Sequence, residues 1–77
     1  MIDQLQKLIA EVEAFNAQSK DEVEEFRIKF LGSKGLLKQY FAEFKNIPNE
    51  QKKEFGQTIN QLKKTAEEKV NILKEAL

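Results

Sequence analysis

The sequence contains no cysteine and no histidine. These absences exclude disulfide bonds, zinc sites with Cys or His ligands, iron–sulfur clusters, and nucleophilic catalysis by a thiol or a Ser–His pair. The 77 residues allow one domain at most. So small an interior leaves little scope for the pKa shifts that carboxylate catalysis requires. We therefore expect a non-catalytic domain whose own residues hold no metal and no cofactor.

Long apolar runs are also absent. No stretch approaches the ~20 apolar residues of a membrane-spanning helix. The first six residues, MIDQLQ, lack the basic and apolar regions of a signal peptide. We expect no membrane association and a cytoplasmic location.

Breaks in helical structure are few, because the chain has one proline and three glycines among many Lys, Glu, Gln, Leu and Ala residues. Apolar residues recur at spacings of three and four, which predicts amphipathic helices. We predict an all-α fold with helices over 1–17, over 20–46 with a break at 32–35, and over 49–77. The second and third helices, separated by Pro48, should form an antiparallel, coiled-coil-like hairpin. The first helix either packs across this pair, giving a three-helix arrangement, or is loose.

Local motifs predict how these helices begin and end. Ser19 and Glu22 match the capping box that opens a helix. Gly32 stands where a helix C-terminus often needs positive φ, and Ser33 is a candidate cap for the continuation. Gly56 lies within a helix, where it costs ~1 kcal/mol relative to Ala, so we expect close packing by Phe30 or Leu31.

The last helix carries an apolar stripe with an eleven-residue repeat, which predicts a straight or slightly right-handed pair. The stripe consists of Phe55, Ile59, Leu62, Ala66, Val70, Leu73 and Leu77. Asn60, beside the stripe, should be nearly buried and structural. We expect the aromatic residues after Ser19 to lie in the core, Tyr40 least securely, and base stacking is open to Tyr40 or Phe41 if either points outward.

The net charge is zero, but the charges are unevenly distributed. Residues 1–26 carry a net charge of −5, residues 27–64 carry +6, and residues 65–77 carry −1. A hairpin folded at Pro48 brings the two flanks of the basic stretch together near its tip. Such asymmetry favours an anionic partner, although surface lysines are more often merely solvated.

Two sequence blocks resemble a known family. The segment RIKFLGSKGL at 27–36 is similar to the signature of the N-terminal domain of the bacterial phenylalanyl-tRNA synthetase α subunit. A second block, with IPNE at 47–50 and GQTINQLK at 56–63, supports the resemblance. It covers roughly residues 20–77. Ser33 departs from the pattern, because the family usually has a lysine there.

The resemblance implies a tRNA-binding arm cut from a longer chain. The parent would be a class II phenylalanine–tRNA ligase that uses ATP and magnesium and pairs with a β subunit as an α2β2 tetramer. The arm would position tRNA(Phe) by contacts with its phosphates, without reading sequence. The candidate phosphate-binding residues are Arg27, Lys29, Lys34, Lys38, Lys45, Lys52 and Lys53. Lys63 and Lys64 are expected to lie too far down the hairpin. The alternative is a non-catalytic hairpin for protein–protein interaction or dimerisation.

Overall fold

A computed structural model describes residues 2–77. Four α-helices follow one another along the chain: α1 (Ile2–Ala14), α2 (Lys20–Leu31), α3 (Leu36–Glu43) and α4 (Asn49–Ala76). A short 3-10 turn, Phe44–Asn46, continues α3 toward Pro48. The described residues contain no strand, so the predicted all-α class is confirmed.

The long helix α4 contacts each of the other three helices. The molecule measures 42 × 21 × 15 Å, and 28 helical residues at ~1.5 Å each span this long axis. On one side, α2 and α3 run antiparallel to α4 and form the predicted hairpin. On another side, α1 runs parallel to α4, with Ile2 near Phe55 and Glu13 near Lys69. The first helix is therefore fixed to the hairpin, and it lies along α4 rather than across the pair.

The helix bounds differ from the predicted ones mainly in the first two segments. The first helix ends at Ala14 instead of residue 17, and the predicted start at Met1 lies outside the described residues. The predicted helix over 20–46 is divided into α2, α3 and the 3-10 turn. The last helix ends at Ala76, one residue before the predicted end.

The start of α2 follows the predicted capping motif with one difference. The Ser19 hydroxyl accepts a hydrogen bond from the Glu22 amide at 3.3 Å, as predicted. The Glu22 carboxylate reaches back one residue further than expected and accepts from the Gln18 amide at 2.9 Å. Both bonds satisfy amides that would otherwise lack partners at a helix N-terminus.

The corner between α2 and α3 corrects two predictions. Gly32 has φ −67°, and no glycine among the described residues has positive φ. The residue that precedes α3 is Gly35, and no side chain caps that helix, so the predicted cap by Ser33 is wrong. The glycines are needed for space instead. A Cβ on Gly32 would lie 2.6 Å from the Ile28 carbonyl oxygen, and one on Gly35 would lie 2.9 Å from that of Lys29.

The core is one continuous cluster along α4. Leu5 and Val12 of α1, together with Ile59, Leu62 and Ala66 of α4, are completely buried. The predicted stripe is buried from Phe55 to Leu73, and Thr58 is buried beside it. Two expectations fail at the edge of the stripe. Leu77 is 45% exposed because it follows the end of α4, and Asn60 is exposed because it points away from the stripe.

Candidate nucleic-acid interface

The basic residues occupy one end of the elongated molecule. Residues 28–64 form the last turn of α2, all of α3, the turn at Pro48 and the first half of α4. They carry eight lysines and three glutamates. We call this part the basic tip. Residues 11–27 and 65–77 carry nine acidic and four basic residues, and we call them the acidic base. The net charge is +5 at the tip and −5 at the base, because Asp3 and Lys7 cancel.

Aromatic packing fixes the end of the tip. The rings of Phe44 and Phe55 stack with centroids 6.2 Å apart, which joins the 3-10 turn to the start of α4. The Lys52 ammonium lies 5.5 Å from the centre of the Phe44 ring, a cation–π distance. The lysines that flank the turn, Lys45 and Lys53, are exposed. The turn therefore presents Lys45, Lys52 and Lys53 together.

Gly56 also lies against this cluster. A Cβ on Gly56 would be 3.4 Å from Cε2 of Phe44, an ordinary contact distance. The prediction that Phe30 or Leu31 packs against Gly56 is therefore wrong. The register of the hairpin explains the difference. Gly56 lies eight residues after Pro48, and its partner lies four residues before that proline.

The corner between α2 and α3 presents another pair of lysines. The Gly35 amide donates to the Gly32 carbonyl at 2.9 Å, which closes the turn. Lys29 and Lys34 line the same depression at this corner, beside the N-terminus of α3. The first amides of a helix point outward and favour anions. Lys34 and Lys38 are exposed on either side of that N-terminus.

Arg27 lies apart from the other candidate residues. It forms a salt bridge with Glu24 on the same helix, and its Nε donates to Glu24 Oε1 at 3.0 Å. This hydrogen bond lowers the pKa of the Glu24 carboxyl and raises the pKa of the Arg27 guanidinium. Arg27 shares a groove of about 490 Å³ with Lys74, in the acidic base. Its charge is thus already paired within the protein.

Lys29 lines both the depression at the α2–α3 corner and a second groove. Its ammonium lies 5.4 Å from the centre of the Phe30 ring. It also lines a groove of about 270 Å³ between α1 and α2, where its neighbours include Glu11, Glu22 and Glu25. The floor of this groove is a stacked pair, Phe15 and Phe26, with centroids 4.3 Å apart.

Lys63 and Lys64 lie near the middle of α4. Lys64 lines the same groove as Leu31, the last residue of α2. Both lysines are exposed, and they lie at the level of the α2–α3 corner. The signal that could have found them is spacing, because Lys63 and Lys64 follow Lys52 and Lys53 by eleven residues, a shift of only ~20° around a helix.

Among the aromatic residues, Phe41 departs from the expected burial. Its side chain is 42% exposed, so the prediction that it lies in the core is wrong. Tyr40 and Phe44 are half-buried against the core, whereas Phe26, Phe30 and Phe55 are buried as expected. Phe41 is therefore the one α3 aromatic whose ring is available at the surface.

Residues 2–77 offer neither a metal site nor a membrane span. No group of three acidic side chains in this range could hold a metal ion. None of its helices is both long enough and apolar enough to cross a bilayer.

Comparison of the sequence with known protein families identifies the family of the chain. Residues 18–77 match the N-terminal domain of class II aminoacyl-tRNA synthetases. The match begins just before the Ser19 cap and contains all of α2, α3 and α4. The chain therefore belongs to this family.

The chain is also similar to individual proteins of known name. The chain is 66% identical over its whole length to the phenylalanine–tRNA ligase α subunit of Christiangramia forsetii and 64% identical to that of Flavobacterium psychrophilum. Over 97% of its length it is 45% identical to the α subunit of Bacteroides thetaiotaomicron. The chain spans 23% of the length of the first two relatives and 22% of the third. No solved structure matches it.

Proposed function

We propose that this chain is the tRNA-binding arm of a phenylalanine–tRNA ligase α subunit. The arm holds tRNA(Phe) so that the acceptor end reaches a catalytic domain in the rest of the parent protein. The observation that carries the proposal is the basic tip, with its net charge of +5, at one end of a rigid molecule 42 Å long. The relatives reported above are phenylalanine–tRNA ligase α subunits, and they indicate the substrate class.

The mode of binding is electrostatic. Helical RNA has a deep, narrow major groove that side chains do not enter, so proteins recognise it largely by shape and backbone contacts. Exposed lysines suit phosphates as compact point charges. Lys34, Lys38, Lys45, Lys52 and Lys53 are the candidates at the tip. Lys29 is a further candidate beside the α2–α3 corner. Arg27 contributes less, because its guanidinium is already paired with Glu24.

Rigidity is the second requirement for an arm that positions its ligand. The tip is joined to the base by α4, which is one uninterrupted helix from Asn49 to Ala76. Packing of α1 and α2 against α4 buries Leu5, Val12 and Leu62 completely. A continuous helix supported on two sides resists bending, so a phosphate held at the tip stays at a fixed distance from the base.

The chemistry of the parent protein lies outside this chain. In the proposal, the parent is a class II enzyme that joins phenylalanine to tRNA(Phe) with ATP and magnesium. It works in the cytoplasm with a β subunit as an α2β2 tetramer. The acidic residues of this domain do not suit a magnesium–ATP site, because no three of them converge within residues 2–77. In the proposal, ATP and magnesium bind in the remainder of the parent protein.

The proposal is tested by neutralising lysines at the tip of the complete αβ enzyme. The double variant Lys34→Gln/Lys45→Gln should raise the KM for tRNA(Phe) in aminoacylation. The rate of phenylalanine-dependent ATP–pyrophosphate exchange, which needs no tRNA, should be unchanged. For every lysine–phosphate pair that is removed, the slope of log affinity against log salt should also fall by about 0.7–0.9. An unchanged KM and an unchanged salt slope would contradict the proposal.

A docking or dimerising hairpin would need an apolar stripe on α4 that this chain leaves uncovered. Within this chain α1, α2 and α3 cover the stripe from Phe55 to Leu73. The remaining exposed apolar side chains are scattered, with Ile28 and Phe41 in α2 and α3 and Ile72 and Leu77 at the other end. Single exposed apolar residues are normal on protein surfaces. The tRNA-binding function is therefore the better supported of the two.

A further inference from the structure

Charge is separated around α4 as well as along it. Successive residues of an α-helix are ~100° apart. Lys52, Lys63 and Lys74 recur every eleven residues and fall within ~40° of one another. Lys53 and Lys64 follow ~100° further round. We call the surface formed by these five lysines the basic flank. Glu67 is the only acidic residue of α4 within the same arc.

The arc of α4 beyond the basic flank is acidic. It contains Glu50, Glu54, Glu68 and Glu75. Within Asn49–Ala76 no lysine or arginine falls in this arc. The sixth lysine of α4, Lys69, lies toward α1, and its ammonium donates to the Glu13 carbonyl at 2.8 Å. That contact uses the lysine to satisfy the C-terminal end of α1.

The neighbouring helices leave the basic flank open. This flank lies on the α2 side, because Lys64 and Lys74 line a groove with Arg27 and Leu31 of α2. Glu67 and Glu68 line the same groove. α1 lies on the other side, where Ile2 shares a depression with Glu54. Lys53, Lys63, Lys64 and Lys74 are exposed, and Lys52 is half-buried.

We propose that the RNA backbone runs along the basic flank of α4, so that Lys63 and Lys64 bind phosphates together with the lysines of the tip. This inference rests on the proposed function and extends its surface down the hairpin. Lys63 lies ~15 Å along the helix axis from Lys53, farther than a contact confined to the turn would reach. The arc of α4 that begins ~20° beyond Lys64 carries the glutamates and repels phosphates. The RNA backbone is therefore held along the lysines and away from the bordering acidic arc, which restricts the orientation of the tRNA.

The test compares two variants of the complete αβ enzyme that change net charge equally. Lys63→Gln/Lys64→Gln removes two positive charges from the basic flank. Lys7→Glu makes the same change of −2 at an exposed position of α1. With a tRNA(Phe) transcript, the first variant should raise the KM of aminoacylation about tenfold and reduce the salt slope by about 1.4–1.8. The second should change the KM less than about twofold, because its charge lies off the RNA path.

Controls separate binding from folding. Lys63→Arg/Lys64→Arg keeps both charges and should retain the original KM, whereas a merely structural role of the lysine stems need not be rescued in this way. Equal effects of the Lys63/Lys64 and Lys7 variants would overturn the inference. If Lys34→Gln/Lys45→Gln raises the KM and Lys63→Gln/Lys64→Gln does not, the flank is wrong and the tRNA-binding function stands. If neither pair raises the KM, both fail.

Discussion

Replacement of Gly56 by alanine should stabilise the domain. Gly56 lies in the interior of α4, where glycine costs about 0.8–1.0 kcal/mol relative to alanine. The new methyl group would meet only Phe44, with Cε2 at 3.4 Å and Cζ at 3.9 Å. Both distances are ordinary van der Waals contacts, and the Phe44 ring is half-buried.

The size of the effect follows from these terms. The gain in helix propensity of about 0.8–1.0 kcal/mol is not offset by a clash with backbone. A small contribution from contact between the methyl group and the ring has the same sign. We therefore expect Gly56→Ala to raise the free energy of unfolding by about 1 kcal/mol, which corresponds to an increase in Tm of roughly 4–8 °C in a domain of this size.

The assay is unfolding of the 77-residue chain by heat and by urea, followed by circular dichroism at the helical band. Gly56→Leu is the matched comparison, because its longer side chain would overlap the Phe44 ring and should lower the Tm. A lower Tm for Gly56→Ala would refute the reasoning. It would show that the turn and α4 approach more closely than the distance to Phe44 indicates.

Three further predictions concern stability. Gly35→Ala should lower the free energy of unfolding by about 1–3 kcal/mol in urea denaturation, because its Cβ would lie 2.9 Å from the Lys29 carbonyl oxygen; an unchanged midpoint would contradict this. Leu5→Ala should cost about 2–5 kcal/mol, since Leu5 is completely buried; a cost under ~1 kcal/mol would mean that α1 is not fixed to α4. Arg27 lowers the pKa of Glu24, so their pair should stabilise the fold above the ordinary carboxyl pKa of 4.5 and cease to do so as pH falls through the lowered value. Glu24→Gln should therefore lower the Tm at neutral pH but not in strong acid, and an equal loss at every pH would exclude this linkage.

The helices could be predicted because their signals are local. Apolar spacing, the Ser19 cap and Pro48 each act within one or two turns of the chain, and the all-α hairpin follows from them. The break at 32–35 was also predictable, because two glycines three residues apart seldom lie within a helix. Its detailed conformation was not. A glycine at a helix C-terminus permits both positive φ and close packing, and contact with the Ile28 carbonyl selects the second at Gly32.

The contact of Gly56 with Phe44 was predictable in principle. Residues near the turn of a hairpin contact residues near the turn on the opposite arm. Phe44 is the large aromatic side chain nearest to Pro48 on the arm opposite Gly56. The direction of α1, by contrast, could not be predicted from the sequence. Its apolar face fits either side of the hairpin, so its parallel course along α4 depends on packing between segments far apart in sequence.

The charge pattern of the candidate site was only partly visible in the sequence. The sum over 27–64 indicates a basic tip, and the fold retains it. The same sum does not distinguish a lysine that faces solvent from one whose charge is offset. Arg27 is paired with Glu24, and Lys29 lies beside three carboxylates brought from α1 and α2. The level of Lys64 beside the end of α2 depends on the register of the hairpin, which the charge sum does not contain.

The tRNA-binding role is tested most directly by removing residues 1–77 from the complete enzyme. The truncated enzyme and the intact enzyme are compared in two reactions, phenylalanine-dependent ATP–pyrophosphate exchange and aminoacylation of tRNA(Phe). We predict unchanged exchange together with a large loss of aminoacylation. Aminoacylation at the intact rate and with the intact KM for tRNA would contradict the claim that this domain holds the tRNA.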